Sequence, residues 1–240
     1  MTELRSDLPP LPDRIARLPV HRGFPVPWFV TWMQEDGTTP CARGEGTPEF
    51  RVITSGAIQE AVNRGLCWVC GQRLGAFKTF VAGPMCGVNR NSQEPPCHHE
   101  CAVFSAIACP FLSKPQAKRR DGNLPEGGGF AGIGIERNPG VTMLWTTKKY
   151  SLKRDPKGEL LINIGEPEKV EWIAKGREAT REEIEESIDT GLPLLYEIAD
   201  ENDRESRAEA RGGTVFDPRR SQRAQLEKAE TVFRERFIPA

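Results

Sequence analysis

The chain has 240 residues, 38% of them hydrophobic and 28% charged, enough apolar material for the core of one large domain or two smaller ones. Its 33 basic and 34 acidic side chains leave a net charge of −1, which excludes a protein whose whole surface grips nucleic acid; any such binding needs a local patch. No run approaches the roughly 20 apolar residues of a membrane-spanning helix, so no membrane partner is expected.

The first residues lack the basic start and apolar stretch of a secretory signal, and the cysteine count is odd. Both point to the cytoplasm, where thiols stay reduced and bind metal rather than form a disulfide framework. Residues 1–50 read as an irregular, proline-rich arm packing on the core. Phe24, Trp28, Phe29 and Trp32 sit among prolines, followed by a polar run through Gly37, Cys41 and Gly46. Ser55 is positioned to cap a short helix, Gly56 to Arg64, that Gly65 stops. Residues 51–113 then form a compact unit. Cys67-Trp68-Val69-Cys70-Gly71 is followed by a strand or hairpin bounded by Gly75 and Gly83, an extended lead-in from Asn91 to Pro96, and a helix from His98 to Ala108 that Pro110 ends.

Residues 114–129 have linker composition, with a basic run and Gly127-Gly128-Gly129. Residues 130–240 read as a β-hairpin plus helical region. Val141 to Thr147 and Glu159 to Ile164 are expected to pair across the turn Asp155-Pro156-Lys157-Gly158, with a further strand near Lys169 to Ile173. Thr180-Arg-Glu-Glu183 is a capping box, Gly191 a stop, and Pro193 the start of a second helix. Asp217-Pro218 opens a last helix with Leu226, Ala229, Phe233 and Phe237 on one stripe. Residues 182–209 carry eleven acids against two arginines, net −9. Residues 219–236 carry six bases against three acids, net +3, so the two helices can pair through charge.

Six of the seven cysteines and two of the three histidines fall between Cys67 and Cys109. Two thiolates at Cys67-x2-Cys70 can face one tetrahedral metal from a tight knuckle, and Gly71 permits the left-handed turn that closes it. His98-x2-Cys101 offers a second pair on the opening turn of a helix, and Cys97-x3-Cys101 nearly the same. The expected ligands are Cys67, Cys70, His98 and Cys101, with Cys97, Cys86 or His99 as possible replacements for His98. Cys109 is eight residues past Cys101, about 12 Å along the helix, too far to share the ion. Buried free cysteines are the alternative, but they do not require knuckle spacing. Knuckle, hairpin and ligand-bearing helix resemble the treble-clef class of zinc modules. The overall expectation is an α+β protein: a small treble-clef-like zinc module with a β-hairpin and C-terminal helices.

Catalytic patterns fit less well. His98-x-Glu100 matches the His-x-Glu of zinc deaminases, but their cysteine pair follows that element, whereas Cys67-x2-Cys70 precedes it. An HNH-type nuclease needs a further downstream histidine, and the remaining one is His21. Gly127-x-Gly129-x-x-Gly132 matches a phosphate-loop pattern without the strand before or the helix after it. A metal-dependent enzyme acting on nucleic acid or nucleotides through His98, His99 or Glu100 stands as the alternative to a structural ion. Local basic residues, Lys118, Arg119 and Arg120 after the module and Lys148 and Lys149 beside Trp145 and Tyr150, are candidates for nucleic-acid contacts.

The run LCWVCGQRLGAFKTFVAGPMCGVNR through PCHHECAVFSAIACPFL, with the later GREATREEIEESIDTGLPLL, resembles an uncharacterised family of actinobacterial and actinophage zinc-knuckle proteins over most of residues 15–200. The resemblance implies a histidine at His98 and a residue other than cysteine at Cys97, which favours His98 as ligand. It implies no activity; a phage or prophage origin would make a host protein or nucleic acid the partner. The expected function is an intracellular, zinc-stabilised binding or adaptor protein in which zinc is structural.

Overall fold

A central antiparallel sheet divides the protein into two layers of core. A computed structural model describes residues 3–114, 129–130, 139–154, 158, 160–210 and 221–239. Among these are six helices: α1 (Ala57–Arg64), α2 (Pro84–Asn89), α3 (His99–Ala108), α4 (Pro110–Ser113), α5 (Arg181–Ala210) and α6 (Gln222–Phe237). The sheet has the strand order Arg177–Glu178, Lys169–Ala174, Thr142–Thr147, Lys78–Ala82, so one strand from the cysteine-rich segment pairs with strands from the C-terminal half. The architecture is mixed α+β.

Thr142–Thr147 is buried along its whole length because both of its faces are covered. Side chains alternate across a strand. Met143 and Trp145 join one cluster with Phe80, Trp172, Ile184, Ile188 and Phe233, built with α2, α5 and α6. Leu144 joins the other, with Cys67, Cys101, Ala102 and Phe104. On that second face the buried Thr79 and Thr146 hydroxyls bond each other at 2.9 Å. The ligand-bearing module and the C-terminal helices thus share one wall.

Several elements differ from the sequence reading. Residues 1–50 are not irregular throughout: Val30–Met33 pairs with Pro40–Cys41 and with Thr47–Ile53 in a sheet that Gly129–Phe130 extends. The turn is Asp36-Gly37, where the Asp36 carboxylate accepts from the Thr38 and Thr39 amides and the Thr39 hydroxyl. Ser55 does not cap α1; Gly56 does, at φ 75°, while Gly65 ends it at φ 61°. The segment after the knuckle is a strand, Lys78–Ala82, whose return partner is a single bridge between Thr79 and Cys97. The C-terminal hairpin joins Ser151–Arg154 to Leu160–Asn163; Thr142–Thr147 pairs instead with Lys169–Ala174 and Lys78–Ala82. The buried, two-faced strand needs neighbours on both edges, which an isolated hairpin cannot supply.

Gly191 and Pro193 interrupt no helix: α5 runs through both. Gly191 serves close approach, since a Cβ there would lie 3.0 Å from the Met85 Cγ of α2. Packing of Ile188, Leu192 and Ala199 into the core outweighs the hydrogen bond lost at Pro193. Asp217-Pro218 lies outside the described residues; Ser221 caps α6 by accepting from the Ala224 amide. The stripe of α6 is as read, with Leu226 and Phe233 buried and Ala229 and Phe237 packed beside them. Charges do link α5 and α6: Arg223 pairs with Asp200 at 3.0 Å and Arg234 with Asp189 at 2.5 Å.

The capping box forms as read. The Thr180 amide donates to Glu183 at 3.0 Å and the Glu183 amide to the Thr180 hydroxyl at 3.3 Å. Arg177 and Lys175 also bond Glu183, and with the Thr180 amide they hold its carboxyl at about 2, below the usual 4.5. A depressed carboxyl pKa stabilises the fold above 4.5, and that contribution is lost as pH falls toward 2. Glu183→Gln should therefore lower stability by about 1 kcal/mol at pH 7. The gap from wild type should narrow as denaturation curves are recorded at successively lower pH through this window; a constant gap would contradict the assignment. At Gly87 of α2, an added Cβ would stand 2.3 Å from the Phe233 ring and 2.9 Å from the Met143 sulfur. Gly87→Ala is expected to cost about 1–3 kcal/mol of unfolding free energy, by overpacking a core without space.

Candidate metal centre

The knuckle is built from local backbone bonds. Leu66 and Arg73 form a bridge, the Cys67 amide donates to the Gln72 carbonyl at 2.7 Å, and the Gly71 amide to the Cys67 carbonyl at 2.9 Å. This loop needs a left-handed residue, and Gly71 supplies it at φ 71°. Gly71 has a second reason to be bare: a Cβ would sit 2.2 Å from the indole Cδ1 of Trp28. The N-terminal segment lies against the knuckle here, with the Trp28 amide on the Val69 carbonyl at 2.7 Å and the Phe29 ring stacked on Trp68 at 4.7 Å.

The second half of the centre comes from the start of α3. His98 is the N-cap, in extended conformation, and Cys101 lies in the first turn. The donor atoms of Cys67, Cys70, His98 and Cys101 all lie within 4.8 Å of one another, close enough to hold one metal ion. The His98 Nδ1 stands 3.4 Å from the Cys70 sulfur. Its Nε2 donates to the Arg73 carbonyl at 2.9 Å, which leaves the Nδ1 lone pair facing the thiols. Ligands about 2.0–2.3 Å from a tetrahedral ion are about 3.4–3.8 Å apart, so the separation fits.

Cys67 and Cys101 are fully buried, Cys70 nearly so, and His98 is partly exposed. The Cys67 sulfur accepts amide hydrogens from Cys70 at 3.5 Å and His98 at 3.4 Å. Hydrogen bonds from the Cys101, Cys70 and Cys97 thiols further favour its thiolate, holding its pKa far below the ordinary value. That charge in turn pushes the Cys101 and Cys97 thiols up and draws His98 toward its protonated form. Three thiols cannot all ionise in so small an apolar space unaided; a divalent cation held among them would offset most of that charge.

Cys97 is buried beside the cluster, and its backbone is spent on the Thr79 bridge; it is not one of the four donors. Cys86 lies on α2 and is also outside the set, its thiol raised to about 11 by burial. His99 and Glu100 are turned to other partners, His99 to Glu171 at 2.6 Å and Glu100 to Arg14 at 2.9 Å. Of the basic residues, Lys118, Arg119 and Arg120 lie outside the described residues, as does most of the glycine-rich pattern at 127–132. Lys148 and Lys149 are exposed at the end of the central sheet. Trp145 is no stacking platform for them: it is fully buried and its indole donates to the Ile164 carbonyl at 3.2 Å. The aromatic ring beside Lys148 is Phe77, with the ammonium 5.4 Å from its centroid, a residue the sequence reading passed over as part of a strand.

Comparison with family models, curated proteins and solved structures finds no match for the chain. Function therefore has to be argued from the site. Gly71→Ala should cost about 2 kcal/mol or more, combining a left-handed alanine with displacement of Trp28. Denaturant unfolding with and without added zinc would check this, and a variant as stable as the parent would refute the knuckle geometry.

Proposed function

We propose that the chain is a cytoplasmic, non-catalytic binding or adaptor protein whose treble-clef-like module is stapled by one structural zinc ion on Cys67, Cys70, His98 and Cys101. The observation that carries this reading is the closed donor set: four protein ligands lie within 4.8 Å, three of them buried in an apolar cluster. Three soft thiols and one imidazole gathered within 4.8 Å suit zinc over harder cations. Zinc held this way supplies folding free energy by cross-linking the knuckle to α3, and a full set of protein ligands leaves no position for a reacting water.

No observation favours the metal-dependent enzyme. Both ring nitrogens of His98 are engaged, and His99 and Glu100 are held in ion pairs. A place among the actinobacterial and phage zinc-knuckle proteins the chain resembles fits a binding role and adds no activity. Protein purified without chelator should carry one zinc per chain by mass spectrometry under native conditions. Cys67→Ser should lose the ion and the cooperative unfolding transition together. A fully folded, metal-free wild-type chain would sink the proposal, as would cobalt substitution with the spectrum of a water-bound rather than a closed thiolate site.

A further inference from the structure

The loop between knuckle and sheet ends in a large ring that the core does not use. Phe77 is 51% exposed and belongs to none of the hydrophobic clusters. Gly75 and Ala76 before it are exposed as well, so the ring stands at a protruding tip. Phe77 is flanked by cations. Lys148 lies over it, Lys149 follows in the turn after Thr147, and Lys78 is paired in register with Thr147. The tip is held in place: the Lys78 ammonium bonds both the Ala76 carbonyl, at 2.9 Å, and the Lys148 carbonyl, at 3.1 Å. These two bonds tie the loop to the turn that carries the other lysines.

The root of the same loop is fixed by the metal centre, since His98 donates to the Arg73 carbonyl and the Cys67 amide to that of Gln72. Among the described residues, Lys148 is paired with Glu168 at 3.2 Å, an exposed pair that contributes little and that a phosphate can displace. An exposed aromatic face beside lysines offers the two contacts of sequence-tolerant single-strand recognition: a base stacked on the ring and backbone phosphates on the ammonium groups. A duplex keeps its bases stacked on each other and could use only the lysines.

Resting on the reading of the chain as a zinc-stapled binding protein, we propose that Phe77, Lys78, Lys148 and Lys149 form a binding site for single-stranded nucleic acid. Phe77 is the stacking platform and the lysines neutralise phosphates. The metal centre acts at a distance, by holding the root of the loop.

The test is fluorescence anisotropy of a labelled 12-nucleotide oligothymidylate with the full-length, zinc-loaded chain. Comparison probes are a 12-base-pair duplex and oligoglutamate as competitor. Phe77→Ala should weaken binding about 5- to 100-fold, the range of one lost base stack. Lys148→Gln/Lys149→Gln should flatten the slope of log affinity against log salt by about 1.4, two phosphate contacts on a single strand. Both sites are exposed, so circular dichroism and zinc content should match the parent. Absence of oligothymidylate binding at 50 mM salt, wild-type affinity in Phe77→Ala, tighter binding of the duplex, or displacement by oligoglutamate at equal charge would each overturn the proposal. Zinc is measured on the same preparations, so a metal-loaded protein that ignores the oligonucleotide refutes this site and leaves the structural-zinc reading standing.

Discussion

A buried sulfur that takes on negative charge must be compensated on all sides, and the neighbourhood of Cys67 is arranged around that demand. Its sulfur accepts one amide from its own knuckle, at Cys70, and another from His98, 31 residues along the chain. Those bonds bring the loop and the start of α3 to a fixed separation before any ion is considered. The surroundings follow from it. Trp68, inside the knuckle, donates its amide to the Pro96 carbonyl and takes Phe29 against its ring. Leu144 of the central strand closes the same cluster from below.

The central strand transmits this constraint. Because Leu144 faces the metal side while Met143 and Trp145 face α2, α5 and α6, neither core can shift without moving the wall of the other. Strand Lys78–Ala82 sits at the junction: it continues the knuckle, pairs with Thr142–Thr147 and bridges to Cys97. Its buried Thr79 ties it to the central strand again through the hydroxyl of Thr146, 67 positions away. Arg90, left-handed at φ 58°, adds a further clasp by lying over both Trp145 and Phe237.

What could be read from the sequence was local chemistry. The spacings Cys67-x2-Cys70 and His98-x2-Cys101 name the donor set because they follow from how a knuckle and a helix turn aim side chains. Thr180 and Glu183 cap each other for the same kind of reason, and the stripe of α6 follows from helical periodicity. Non-local pairing was not legible. Nothing in Thr142–Thr147 says that its neighbours are Lys78–Ala82 and Lys169–Ala174 rather than the nearer Leu160–Asn163. Ser151–Arg154 carries no alternation, being exposed at every position. Gly191 was misread because a glycine that stops a helix and one that lets two helices touch look alike in sequence. Phe77 was hidden by its setting, a hydrophobic residue just before a strand whose Thr79 and Phe80, unlike it, are buried.

The sharing of one sheet between the two halves bears on how the chain can be divided. A cut between residues 114 and 139 leaves one fragment with the knuckle, α3 and a sheet strand without its partner, and another with three strands lacking their fourth. Each piece would expose a long apolar edge and half of a two-faced core. Such fragments should behave as complementary parts that fold on meeting, and metal bound by the first would raise the affinity between them. The free energy of ligating an ion at Cys67 would in this way be distributed as far as α6, through the central strand that both cores share.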